Sequence, residues 1–241
     1  MKIKFLGNGG AINDGLPYNS FIINDDFLVE SPPDIMNSLF REHVDILKIS
    51  TVYISHFHAD HYFGIPIFFL RLFVDGSDTP VKVVGPCGIE ERVCSLCITA
   101  FGKDHPMQEW IRQYVTYENI EAGRNTFIND CYLLDPVTMF HSPETFGFRL
   151  GSGGKTVTYL ADSYWDDSLV KYIDDADAVI VDLNGEKEDK VKIHISEYDL
   201  ITHALPVIKT GIRFLGTHLR ENRVSDNERI QYVKPGDEID I

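Results

Sequence analysis

The segment His56-Phe57-His58-Ala59-Asp60-His61 constrains this chain more than any other feature. Three imidazoles and a carboxylate within six residues follow directly on Thr51 to Ser55, a β-branched and aromatic run that predicts a strand. While the backbone is still extended, residues i and i+2 point the same way, so His56 and His58 can share one ion. Where the chain turns toward a helix predicted over Gly64 to Phe73, Asp60 and His61 project differently and can serve a second ion. Neutral imidazole and carboxylate are ligand types that zinc or manganese accept. A lone histidine would be read as hydrogen-bonded or solvated, but packing does not account for this density of ligand-type side chains.

The surrounding pattern alternates strands with short helices. Strands are expected at Lys2 to Leu6, at Phe21 to Ile23 and Phe27 to Glu30 around an Asn24-Asp25-Asp26 turn, at Val81 to Val84 and at Tyr132 to Phe140. Phe146 to Leu150 and Thr156 to Leu160 form a hairpin around four small residues, and Ala178 to Leu183 and Ile212 to Leu215 are apolar strands. Helices are expected at Pro33 to Phe40, Gly88 to Phe101, Met107 to Tyr114, Leu169 to Ile173 and Ser196 to Leu205. Phe68, Phe69 and Phe73 read as core. No internal repeat is visible, yet the doubled strand-rich layout fits two sheets with helices outside. A chain of 241 residues can bury one sizeable core, so a single domain over 1–241 is expected.

Composition excludes several classes. No apolar run is long enough to span a bilayer, and Met1 to Gly10 carries no secretory pattern, so a cytoplasmic protein without a membrane partner is expected. Cys87, Cys94, Cys97 and Cys131 are no disulfide framework. Cys94 and Cys97 form a lone C-x-x-C in a helix whose Ile89, Val93, Leu96 and Cys97 share one face. Buried inert thiols are the plain reading, with a further metal site as the alternative. The net charge of −15 repels polyanions, and the basic clusters (Lys187, Lys190, Lys192; Arg213, Arg220, Arg223) are interleaved with acids. Long nucleic acid is therefore disfavoured as a partner. Small anionic substrates are not, because metal ions reverse the local potential. Pairing into a homodimer is left open.

The His56 to His61 segment resembles the H-x-H-x-D-H signature of the metallo-β-lactamase superfamily, which implies a four-layer αββα sandwich with metals between two sheets. The resemblance implies three further ligands, and the chain supplies candidates in order: His141 after a strand, Asp162 in Leu160-Ala161-Asp162-Ser163, and His218 in Gly216-Thr217-His218-Leu219. By that resemblance His141 joins His56 and His58 on one metal, Asp162 bridges, and Asp60, His61 and His218 complete the other. Two divalent ions, Zn or Mn, would hold a bridging hydroxide and polarise the bond under attack, with Asp60 counted among both the ligands and the catalytic residues. Ala59 departs from the di-iron oxygen-reducing members, so hydrolysis is the expected chemistry.

His194, in Ile193-His194-Ile195-Ser196, bears on which bond is cut. Together with Asp182 in Val181-Asp182-Leu183-Asn184, it is similar to the phosphodiesterase branch that includes ribonuclease Z and phosphoribosyl cyclic phosphodiesterase. There a His followed by Ser or Thr, oriented by an acid, faces the phosphate. An imidazolium so placed can stabilise phosphoryl charge or protonate a leaving alkoxide. The branch commonly has Glu where this chain has Asp182, and a plain packing or capping role for His194 before Ser196 is the competing reading. The opening Phe5 to Gly10, Asn19-Ser20 and Glu30-Ser31-Pro32-Pro33-Asp34 also resemble that branch. Residues 142 to 161, between His141 and Asp162, leave no room for the tRNA-gripping arm of ribonuclease Z. A small or cyclic phosphodiester is thus the expected substrate, with Tyr164 and Trp165 either stacking a ring or packing under a loop. The alternatives are a thioester, lactone or β-lactam hydrolase of the same fold and a non-catalytic metal-bearing binding or sensor domain.

Overall fold

The computed structural model describes residues 1–241. Two seven-stranded sheets face each other. The first is built from β1 (Lys2–Gly7), β2 (Ser20–Ile23), β3 (Phe27–Val29), β4 (Thr51–Tyr53), β5 (Val81–Gly85) and β6 (Val115–Asn119) in that order, with β14 (Glu238–Asp240) outside β1. The second runs β7 (Thr126–Ile128), β8 (Tyr132–Thr138), β9 (Phe146–Ser152), β10 (Lys155–Leu160), β11 (Ala178–Asp182), β12 (Arg213–Thr217) and β13 (Ile230–Tyr232). Each sheet has an antiparallel half (β14, β1, β2, β3 and β7, β8, β9, β10) and a parallel half (β3 to β6 and β10 to β13). The doubling absent from the sequence as a repeat is therefore present in the topology.

Burial follows the two-residue period of a strand. Phe5, Phe21, Phe27, Val29 and Tyr53 point between the sheets, where they meet Phe148, Tyr159 and Phe214. Their neighbours Leu6, Ile22, Leu28, Val52 and Ile54 point outward. They are covered by α1 (Ile35–Arg41), α3 (Ile65–Val74), α4 (Ile89–Phe101) and α5 (Met107–Tyr114), with the single-turn α2 (Ala59–Tyr62) between β4 and α3. Because both faces are covered, these strands are apolar almost throughout. The outer layer of the second sheet is thinner, made of α6 (Val170–Ile173), α7 (Glu197–Asp199) and the turn after it. This is the four-layer αββα sandwich that the resemblance implies. No helix is long and apolar enough to cross a membrane.

The expected strands and helices are present with ends shifted by a few residues, and four differences have physical causes. Four strands were not anticipated, namely β6, β7, β13 and β14. Each has five residues or fewer and lies at or next to a sheet edge, where a polar outward face gives little periodic signal. Ser196 to Leu205 is not a uniform α-helix: it is α7 followed by a π-type turn over Leu200–Ala204, closed by Leu205 N donating to Leu200 O at 2.9 Å. Phe73 is only partly buried, while Phe68 and Phe69 are fully buried. Leu96 is half-exposed, although Ile89, Val93 and Cys97 are buried as their spacing requires.

Candidate metal centre

The predicted ligands converge at one edge of the sandwich because each follows the end of a strand. His56 and His58 lie in the loop after β4, and Asp60 and His61 lie within the single turn of α2. His141 follows β8, Asp162 follows β10, and His218 follows β12. Four ligand atoms form one group: those of His56, His58, His141 and Asp162 all lie within 4.8 Å of one another. In it Asp162 Oδ2 is 4.0 Å from Nε2 of both His56 and His141, and His141 Nε2 is 3.4 Å from His58 Nδ1. A second group comprises Asp60, His61 and His218. There Asp60 Oδ2 lies 3.4 Å from His61 Nε2 and 3.2 Å from His218 Nε2, and Asp162 Oδ1 lies 3.5 Å from both rings. One carboxylate thus directs an oxygen at each group.

These spacings suit metal coordination. Ligand atoms about 2.0–2.1 Å from a tetrahedral ion lie about 3.3 Å apart. His56 Nε2, His61 Nε2 and Asp162 Oδ1 are also buried without a hydrogen-bond partner, which buried polar atoms seldom are unless an ion or water completes them. The donor set therefore fits divalent ions such as zinc or manganese. None of the groups of three or more candidate ligands includes a cysteine. Cys97 is buried, its thiol pushed up to about 12 by burial with a smaller contribution from Cys94, and Cys94 faces the Tyr117 hydroxyl.

The electrostatics follow from burying carboxylates together. Glu30, Asp60, Asp162 and Asp182 are all buried, and each such ion costs on the order of several kcal/mol unless compensated. Burial works against the charged His218 ring, but Asp162 and Asp182 outweigh it and push the ring up to about 10. His61 is raised likewise, by Asp162 and Glu30 against burial. Asp60 and Asp162 stay well below the ordinary carboxylate range despite burial, because these histidines face them. Burial and its neighbour His61 lower His56 instead. The raised His61 and His218 offset part of the carboxylate charge, a role a divalent cation can take over by displacing their protons.

Local backbone fixes the geometry. His218 has φ 61°, a left-handed conformation rare outside glycine, and Gly10 packs against it so closely that a Cβ there would lie 2.8 Å from His218 O. This explains the glycine at position 10. Gly185 does the same for His194, whose carbonyl oxygen would lie 2.3 Å from an added Cβ. His194 is half-buried, and its Nδ1 lies 2.5 Å from Asp182 Oδ2. Asp182 Oδ1 is 3.5 Å from His218 Nδ1, so one carboxylate faces both rings. The His194 ring centroid is 5.4 Å from that of His218 and 6.1 Å from that of His141. Ser196, not His194, caps α7, through a reciprocal box with Asp199.

One site residue was not anticipated. Glu30, fully buried at the end of β3 with φ 62°, places Oε1 3.3 Å from His61 Nδ1 and accepts from the Tyr159 hydroxyl at 3.1 Å. Its other oxygen accepts from Ser55 N. A carboxylate behind a candidate metal-binding imidazole sets the ring's tautomer and orientation. The available signal was an acid closing an all-apolar strand before Ser31-Pro32-Pro33. Of the aromatic pair after Asp162, Tyr164 lines a groove beside His141, whereas Trp165 stacks on His203 and donates to Asp167.

Fold and site define a protein of the metallo-β-lactamase superfamily, on the side of it that holds ribonuclease Z. A family model described as anti-Pycsar protein Apyc1 matches residues 1–234, and the chain belongs to that family. It is 25% identical over 158 residues to ribonuclease Z of Listeria innocua, covering 62% of this chain and 49% of that protein. The chain thus spans about half the length of the curated relatives it matches. Among solved structures, the short form of human tRNase Z superposes with a TM-score of 0.77 at 18% identity, covering 100% of this chain and 99% of that one. A diphosphatase of the PhnP family superposes with a TM-score of 0.74 at 17% identity, covering 99% and 96%.

Proposed function

We propose that this chain is a metal-dependent phosphodiesterase acting on a small or cyclic phosphodiester. The observation that carries the reading is His194, held by Asp182 at the rim of the ligand cluster, within ring contact of both His141 and His218. His56, His58 and His141 would hold one divalent ion, Zn or Mn, and Asp60, His61 and His218 a second, with Asp162 shared between them. Bound there, such ions supply Lewis acidity and a water ionised near neutrality.

The remaining work falls to the chain. Asp182 accepts from Nδ1 of His194, which leaves Nε2 to carry the proton that a leaving alkoxide needs. Burial disfavours the charged ring, but Asp182 outweighs it and raises His194 above its ordinary value, so the acid form persists near neutral pH. The same imidazolium offers charge to the phosphoryl oxygens. A carbonyl hydrolase has no evident need for this group.

Size and charge favour a small substrate. The pocket over the ligands, reached past Ala11, Ile12 and Ile193, encloses about 230 Å³. Residues 142 to 161 are taken up by the β9–β10 hairpin and the turn before it, which supplies no arm for gripping RNA. With a net charge of −15, a long polyanion also meets an unfavourable field.

The test is turnover by metal-loaded protein of bis(p-nitrophenyl) phosphate and cyclic phosphodiesters, set beside thioesters, lactones and β-lactams. Phosphodiesters are expected to react and carbonyl substrates not. Reaction of the carbonyl substrates alone would overturn the assignment. No turnover of either class, with metal bound, would favour a binding or sensor domain.

A further inference from the structure

The two ligand groups are not supported alike. Around the second, four carboxylates lie within 3.5 Å of its two imidazoles. Asp60 and Asp162 face the Nε2 atoms of His61 and His218, while Glu30 stands 3.3 Å behind Nδ1 of His61 and Asp182 3.5 Å behind Nδ1 of His218. Around the first, Asp162 is the one carboxylate within 4.0 Å of a ring nitrogen of His56, His58 or His141. Behind Nδ1 of His56 stands the neutral Ser55 hydroxyl, at 3.0 Å. Exposure divides the groups in the same way: Asp60, His61 and His218 are all buried, whereas His58 and His141 are partly exposed.

The second group is also braced from behind. Thr217, next to His218, donates its hydroxyl to Asn19 Oδ1 at 2.7 Å. Asn19 Nδ2 donates to the Tyr159 hydroxyl at 3.1 Å, and that hydroxyl donates to Glu30 Oε1 at 3.1 Å. All four side chains are buried. The donors are aligned head to tail and end on the Glu30 carboxylate, so each strengthens the next and the charge is held against His61. Every step also crosses from one sheet to the other, because Thr217 and Tyr159 belong to the second sheet while Asn19 and Glu30 flank strands of the first. The brace therefore fixes the span between His61 and His218.

We propose that the two ligand groups hold their ions unequally and fill in order, with Asp60, His61 and His218 forming the tight site and His56, His58 and His141 the loose one. A carboxylate behind an imidazole makes it a stronger ligand, and only the second group has such support on both rings. Once that group is filled, Asp162 is already engaged, and a second cation about 3.5–4 Å away is repelled by the first. Tyr159, Asn19 and Thr217 are then positioning residues for the tight site. The inference rests on the two-ion reading of this centre and adds which group retains its ion. A chain filled at the second group alone is a stable one-ion form, and the free-ion concentration sets how much of it becomes fully loaded.

The test starts from zinc-loaded full-length protein, withdraws zinc with chelators of graded strength and counts the zinc left on the chain by elemental analysis. Two steps about 10- to 100-fold apart are expected, with a plateau between them. His141→Ala is expected to keep the tight zinc and lose the loose one. His218→Ala is expected to lose the tight one, as is Asp60→Ala should the first of these not fold. Tyr159→Phe removes only the hydroxyl and is read in the His141→Ala background, where it is expected to weaken the tight zinc roughly tenfold; an unchanged affinity there overturns the bracing role. Loss of both zincs in one step, or a tight zinc that His141→Ala releases and His218→Ala keeps, overturns the proposal. Should the wild type hold a single zinc, the two-ion reading fails by itself. The assignment of the tight site then stands if His218→Ala releases that zinc and His141→Ala does not, and falls otherwise. Turnover enters none of these readouts, so the choice of substrate class does not affect them.

Discussion

The floor and the rim of the metal centre are built differently. On the floor, His56 and His61 are fully buried; Ser55 Oγ lies 3.0 Å from the Nδ1 of His56, and Glu30 stands behind the Nδ1 of His61. Tyr159 and the Asn19 side chain continue that network inward, and Thr217 donates to Asn19 at 2.7 Å. Between floor and rim stand the half-buried ligand candidates His58 and His141; at the rim itself His194 is half-buried and Tyr164 is exposed. A fixed floor suits groups that must hold a cation in one geometry, because their orientation is settled before it arrives. A half-open rim suits groups that meet a substrate and exchange protons with it. On the proposed reading, the contrast separates holding the metal from handling the substrate.

The sharpest way to break this comparison is to remove the carboxylate shared by both ligand groups. Asp162→Asn is expected to weaken metal binding roughly 10³-fold, as breaking a buried charge set does, and to take turnover to background. Elemental analysis checks it, and full metal content in the variant would remove Asp162 from the ligand set. A rim substitution should act on turnover alone. His194→Ala is expected to retain the metal while lowering turnover about 10²- to 10⁴-fold. The pH profile carries the sign: the protonated ring is the working form, so wild-type turnover falls as pH rises through the elevated His194 value, and the variant lacks that alkaline limb. Metal lost from His194→Ala would move this residue to the floor. The smallest effect tests the support of the floor. Glu30→Gln keeps the size but removes the charge behind His61, and is expected to weaken metal affinity about 10- to 100-fold with the fold intact. Competition with a chelator measures that shift, and an unchanged affinity would reduce Glu30 to a packing role.

Much of this was legible in the chain. The apolar runs of β2 to β5 announce strands with two buried faces, and His56 to His61 announces a metal site, since both are local patterns set by strand geometry and ligand chemistry. Edge strands such as β14 were not legible: Glu238–Asp240 has no apolar pattern, and pairs with Lys2 to Lys4 only because folding brings the ends of the chain together. The π-type turn after α7 escaped for a related reason, as its residues have helical spacing and only the hydrogen bond from Leu205 to Leu200 reveals the wider turn.

The amino-acid sequence by itself determined the strand and helix pattern and the His56 to His61 cluster, because hydrophobic period and residue type are local properties, while the family resemblance implied the four-layer sandwich and His141, Asp162 and His218 as further ligand candidates. Tertiary structure alone decided which candidates face one another, that Asp162 directs one oxygen to each group, and that Asp182 lies against both His194 and His218. It alone found Glu30 behind His61 and joined Phe140 to Tyr164 through Ser163. Those are relations between residues far apart in the chain, fixed by the stacking of two sheets and by the burial of charges that must find partners.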